Sequence, residues 1–129
     1  MRLELIDYVR SLKNRTFAVS NELPFTSGNI MYLKNPKRVY VDQAQTSQEQ
    51  ILAVLGNHGV FQEVQTVSVF FATDAKNLPT EYDSFVDQLK QGKNIENGQP
   101  YFRREADVNT SFENDIMVTE VVFRFTKLI

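Results

Sequence analysis

Side chains able to attack, or to move a proton, are thinly spread in this chain. Its single histidine, His58, lies in the run Gly56-Asn57-His58-Gly59. A catalytic base or nucleophile needs a polarising group held beside it, and a histidine between turn glycines is more often a solvated turn residue. Cysteine is absent. That removes disulfides and thiol chemistry and, with one histidine, leaves no ordinary zinc ligand set. Gly56 and Gly59 are too sparse for a phosphate-cradling loop. No serine sits between glycines at the spacing of a nucleophile elbow. Asp83 and Asp87 are four apart, the spacing of a solvated helix face. Magnesium sites built from scattered carboxylates leave little sequence trace and stay open at this level. The residues therefore name no catalytic group, no metal ligand and no cofactor, and the chain reads as a non-enzyme.

Three other groups of residues suit recognition. Tyr101-Phe102-Arg103-Arg104-Glu105 places aromatics beside paired arginines, the composition of an interface core. The same run also fits an edge strand whose arginines guard against aggregation. Glu120 and Arg124 are four apart on the polar side of a final strand, so they face different cross-strand partners, or simply water. Phe25, Met31 and Tyr32 make the segment Ser20 to Lys37 more apolar than a flexible linker. That segment either packs on its own domain or docks on another chain.

The elements that must position these residues follow from periodicity. Leu5, Tyr8, Val9 and Leu12 make one face of a helix over Met1 to Lys13. Thr16 to Val19 is a short strand. Ser20 to Lys37 is irregular, with Pro24, Ser27-Gly28-Asn29 and Asn35-Pro36 as turn signals and a short strand at Ile30 to Leu33. Arg38 to Gln45 is a strand. Thr46…Glu49 and Ser47…Gln50 both fit a capping box, which predicts a helix over Ser47 to Leu55. Val60 to Thr73 is one long strand, reaching about 45 Å if straight. Val67, Val69 and Phe71 share a face with Phe70 and Ala72 behind them, so this half belongs under a helix, while the more polar first half sits in water or at a partner. Such a strand is either an ordinary core strand with a bend or one that projects to touch a neighbour. Thr80 caps a helix whose stripe is Tyr82, Phe85, Val86 and Leu89, stopped by Gly92. Tyr101 to Asp107 is a strand, Val108 to Asp115 a polar turn, and Ile116 to Leu128 the closing strand, with Met117, Val121, Phe123 and Phe125 on one face.

The predicted class is α+β: a mostly antiparallel sheet of about four to five strands, with two to three helices packed mainly on one face. A chain of 129 residues, 42% hydrophobic with ten Phe and five Tyr, has material for one core and reads as a single domain, 1–129. The net charge of −2 and the spread of Lys and Arg lack the basic footprint of a nucleic-acid binder. No stretch approaches the roughly 20 apolar residues of a membrane span. MRLELIDYVRSLKNR carries acids inside its apolar pattern and does not read as a signal peptide. The absence of cysteine fits the cytoplasm.

In its order of elements the chain resembles the tail terminator proteins of long-tailed, non-contractile bacteriophages of the lambda type. A short N-terminal helix leads through an apolar, proline-containing loop to Arg38–Gln45. A long strand, Val60–Thr73, leads through a polar loop to the helix Thr80–Gln91. Tyr101-Phe102-Arg103-Arg104-Glu105 then precedes a turn and a closing apolar strand. The predicted helix Ser47–Leu55 departs from that pattern, which has a plain β connection there. The resemblance implies a structural subunit, made in the bacterial host cytoplasm and placed in the virion. It would form a hexameric homo-oligomeric ring on the head-proximal end of the tail tube, stop tube polymerisation and provide the head-joining surface. The implied partners are further copies of itself, the tail tube protein and a head-completion or neck protein, with no sequence-specific nucleic-acid binding. Arg103 and Arg104 are the ring-contact candidates on composition and position. Two other readings remain: another neck or head-completion virion protein, and a small ligand-binding domain worked by carboxylates, which requires a concave pocket with clustered, shifted acids.

Overall fold

The computed structural model describes residues 1–24, 37–54 and 58–128, the side chains of 50–60 aside. Ile30 to Leu33, expected as a strand, lies outside the described residues. Two helices and seven strands are described: α1 (Arg2–Ser11), β1 (Ala18–Ser20), β2 (Arg38–Val41), β3 (Gln45–Val54), β4 (His58–Asp74), α2 (Tyr82–Gln91), β5 (Phe102–Arg103), β6 (Asp107–Glu113) and β7 (Ile116–Leu128).

The two longest strands make the frame. β4 and β7 pair antiparallel from Gln62 opposite Leu128 to Asp74 opposite Ile116. Both are rich in Val, Phe and Thr, whose branched or flat side chains suit a pleated surface. On the free side of β4, β3 pairs with its first half and β2 with Val69 and Phe70. β1 continues that flank, parallel to β2. On the free side of β7, β6 pairs with its first half and β5 with Phe125 and Thr126. The result is one mostly antiparallel sheet.

One face carries the core. Val39 and Val41 of β2, Val67, Val69 and Phe71 of β4, and Val121, Phe123 and Phe125 of β7 are all buried there. Leu5, Ile6 and Val9 of α1 and Phe85 and Leu89 of α2 close over them. Both helices therefore belong to one layer, as the two apolar stripes required. Phe85 stacks on Phe17 at 4.5 Å between ring centres and meets Phe71 edge-on at 5.3 Å. Burial also continues behind the sheet at Tyr40, Val64, Val118 and Val122.

The sheet exceeds the expected four to five strands, for two reasons. The first is that the predicted helix Ser47–Leu55 is strand β3. A capping box satisfies only the first turn of a helix, whereas β4 offers a backbone ladder along the whole segment, from Gln45↔Thr66 to Val54↔His58 with an irregularity between Gln50 and Leu52. Thr46, Ile51 and Val54 are β-branched and favour that ladder. The second is that the polar turn expected at Val108 to Asp115 is mostly β6, paired from Asp107↔Val122 to Glu113↔Ile116. Its polar residues reflect an edge strand, not a loop. Of the strand expected over Tyr101 to Asp107, only Phe102 and Arg103 join the ladder before β6 begins at Asp107.

α2 begins one residue later than Thr80 implies. Its N-cap is Glu81, without a side-chain cap bond, and the Thr80 hydroxyl donates to the Glu81 carboxylate instead. Gly92 does stop the helix, at φ +50°, in the left-handed region that L side chains rarely adopt. A Cβ there would also come within 2.9 Å of Ile95 Cδ1. Phe85→Ala should lower stability by about 3–5 kcal/mol, because it empties the space that three aromatic rings share; urea denaturation followed by near-UV circular dichroism measures this.

Candidate assembly interface

Strand alternation splits the run from Tyr101 to Arg104 between two faces. Arg103 pairs with Phe125, whose side chain is in the core, whereas Phe102 pairs with Thr126 on the opposite face. Tyr101 and Arg103 therefore turn toward the helices, and Phe102 and Arg104 turn away.

Toward the helices, both side chains are committed inside the subunit. Arg103 Nε donates to Glu96 at 3.2 Å, and its Nη1 donates to the Lys90 carbonyl at 3.3 Å. A cation suits that carbonyl end of α2. The arginine is only one-fifth exposed and lies beside Gly92. The Tyr101 hydroxyl donates to Glu63 at 2.7 Å, and the Lys127 ammonium lies 3.4 Å from the same carboxylate and over the Tyr101 ring. The Tyr101 bond, aided by Lys127, holds the Glu63 carboxyl below its ordinary range, while that same carboxylate pushes the Tyr101 phenol up. This latch fastens the long connection after α2 to the ends of β4 and β7.

On the opposite face, Phe102 is 72% exposed and Leu128, diagonal to it across β5 and β7, is 65% exposed. Polar pairs surround them. Arg104 reaches Glu49 at 3.7 Å, and Gln62 donates to the same carboxylate at 3.0 Å. Arg124 pairs with Asp107 of β6, and Asn109 donates to Glu120 at 3.4 Å. Glu120 and Arg124 thus serve different cross-strand partners, as their spacing on one side of a strand requires. Of the residues singled out from sequence, Phe102, Arg104, Glu120 and Arg124 share this face. Tyr101 and Arg103 do not, and Phe25, Met31 and Tyr32 lie outside the described residues. Leu128 was missed, although its period-two relation to Arg124 and Thr126 marks the same face.

Two further features bear on assembly. The β3–β4 ladder continues to Val54↔His58, beyond Gln62↔Leu128, the last described pair of β4 with β7. Four residues of strand reach past that pair, roughly 13 Å of hairpin. The outer edges of β3 and β6 also lie on opposite flanks, and no described strand pairs with either.

A site worked by carboxylates finds little support. Glu81 is the other lowered carboxyl, held down first by a hydrogen bond from its own backbone amide and then by the Thr16 and Thr80 hydroxyls. Neither it nor Glu63 lines the cleft where β1 and β2 begin and β4 ends. Among the described residues no three histidine or acidic side chains converge as metal ligands. No described helix is long and apolar enough to cross a membrane. No protein-family model and no curated protein matches this sequence.

Arg103→Glu should cost about 2 kcal/mol, since it sets a carboxylate against Glu96 and the carbonyl end of α2; a urea midpoint tests it. The Glu63 latch gives a pH signature. A depressed folded-state pKa contributes stability above the unfolded carboxylate value, and that contribution is lost as pH falls through the folded value. Between about pH 7 and about pH 3 the melting temperature should therefore fall more steeply for the wild type than for Tyr101→Phe. Parallel curves would mean that the latch carries no linked proton.

Proposed function

We propose that this chain is a ring-forming structural subunit of the phage tail terminator kind, built into the virion at the head-proximal end of the tail tube. The observation that carries the reading is the pair of open sheet edges. β3 is antiparallel to β4, β4 to β7 and β7 to β6, so β3 and β6 run in opposite senses. The β6 edge of one copy can then meet the β3 edge of the next as an antiparallel pair. That contact is heterologous, and heterologous contacts generate closed rings when the rotation closes. Long edges without Lys or Pro are templates for such pairing. β6 reads Asp-Val-Asn-Thr-Ser-Phe-Glu, and the described side chains of β3 include Gln45, Thr46, Ser47 and Gln48.

Two more points favour the reading. β3 is a β connection where the sequence pattern implied a helix, which removes the one departure from the lambda-type order. The overhanging hairpin also supplies a probe beyond the sheet, suited to a tube or neck partner. In this role the subunit ends tube polymerisation and presents the surface to which the head joins.

The wild-type chain should form a species near six subunits, either alone or on tube ends, by light scattering and negative-stain microscopy. Thr110→Lys, at an exposed position of the β6 edge, should change stability by no more than about 0.5 kcal/mol and abolish that species. Assembly of Thr110→Lys at the wild-type level would remove β6 from the contact. A wild type that stays monomeric and leaves growing tubes uncapped would remove the function.

A further inference from the structure

We propose that the cleft where β1 and β2 begin and β4 ends is a binding site for a small ligand bearing an oxyanion, a phosphate or carboxylate, on an apolar body. The cleft is about 740 Å³, within the size range of small-ligand pockets. It lies on the flank opposite the Tyr101 latch, away from Phe102 and Leu128, and nothing in the ring reading uses it.

Its charges are unbalanced. Arg15 and Arg38 line it from the entries to β1 and β2, both exposed, and neither side chain has a hydrogen bond or ion pair with a described residue. Lys37 also lines it and has a partner of its own. Two acids also belong to the lining, and only Asp115 has a cationic partner among the described residues. Asp74 accepts the Lys76 amide at 2.9 Å, and Asp115 pairs with the Lys76 ammonium at 3.4 Å. Two guanidinium groups are thus left for an anion from outside. Their planar donor forks match the oxygens of a carboxylate or phosphate.

The rest of the lining is apolar. Phe17 and Phe71 are buried at its base, and Ile116 is 46% exposed at its side. A bare ion would leave that surface wet, whereas a ring or short chain attached to the anion would cover it. Thr73 adds a second sign of a missing partner. It lines the cleft and is 8% exposed, and its buried hydroxyl has no hydrogen-bond partner among the described residues. Buried hydroxyls are rarely left unpaired in a finished structure.

Calorimetric titration at low salt with inorganic phosphate, phenyl phosphate and benzoate tests the site. Saturable one-site binding is expected, with phenyl phosphate or benzoate at least about tenfold tighter than phosphate because of the apolar base. The preference between the two aromatic probes assigns the anion as phosphate or carboxylate. The double variant Arg15→Gln, Arg38→Gln should keep the wild-type circular dichroism spectrum and lose at least about tenfold in affinity. Thr73→Val should leave the melting temperature of the free protein unchanged or raised, since an unpaired buried hydroxyl contributes nothing to hold the fold, while weakening the preferred probe several-fold. No saturable heat with any probe would overturn the proposal, as would wild-type affinity in the double arginine variant. Wild-type affinity in Thr73→Val alone would remove the hydroxyl from the site.

Discussion

The antiparallel ladder between β4 and β7 is the constraint on which the rest of this structure depends. Once Val67 is set opposite Phe123 and Val69 opposite Val121, the period of two decides the face of every other residue on both strands. A slip of β7 by one residue would send Phe123 and Phe125 to the other face, away from Phe71, and bring Arg124 and Glu120 under the helices. That cost secures the register. Everything else attaches to this pair: β2 and β3 share one flank of β4, β5 and β6 share one flank of β7, and the helices close a single face.

Most of this frame was legible in the chain, because the frame is where burial is strongest. The long strand, the closing strand and the two amphipathic helices all follow from apolar spacing, and their core faces fall where alternation places them. The edges were not legible. β3 and β6 are polar, and polar residues at an edge look like a loop or a solvated helix turn when nothing shows their neighbours. The capping pattern at Thr46 to Gln50 is a local signal, and a ladder along β4 outweighs it. Only the partner strand distinguishes the outcomes, and that partner is set by tertiary pairing.

The candidate assembly surface was half legible for a similar reason. Tyr101 to Arg104 reads as one cluster in sequence, yet a strand sends neighbours to opposite sides. Its odd members fasten the connection after α2, and its even members stand on the face without helices. The spacing of Glu120 and Arg124 identified their face and their separate partners. The cleft at the entries to β1 and β2 had no motif at all, because its arginines come from the entries to two different strands and its base joins Phe17, at the first of these, to Phe71 of β4. Only the topology brings Arg15, Arg38 and Phe71 together.

The central ladder also sets the order in which this protein can fold. β4 emerges from the ribosome well before β7, with α2 and two edge strands in between. During that interval β4 can pair with β3 and β2 on one flank only, while its β7 flank stays open and its valines and phenylalanines lack the cover of α2. Contacts so distant along the chain close slowly, because the loop entropy is spent before any burial is gained. The nascent chain therefore holds a long apolar strand in waiting, and a cell that makes many copies at once has reason to shield it until β7 arrives.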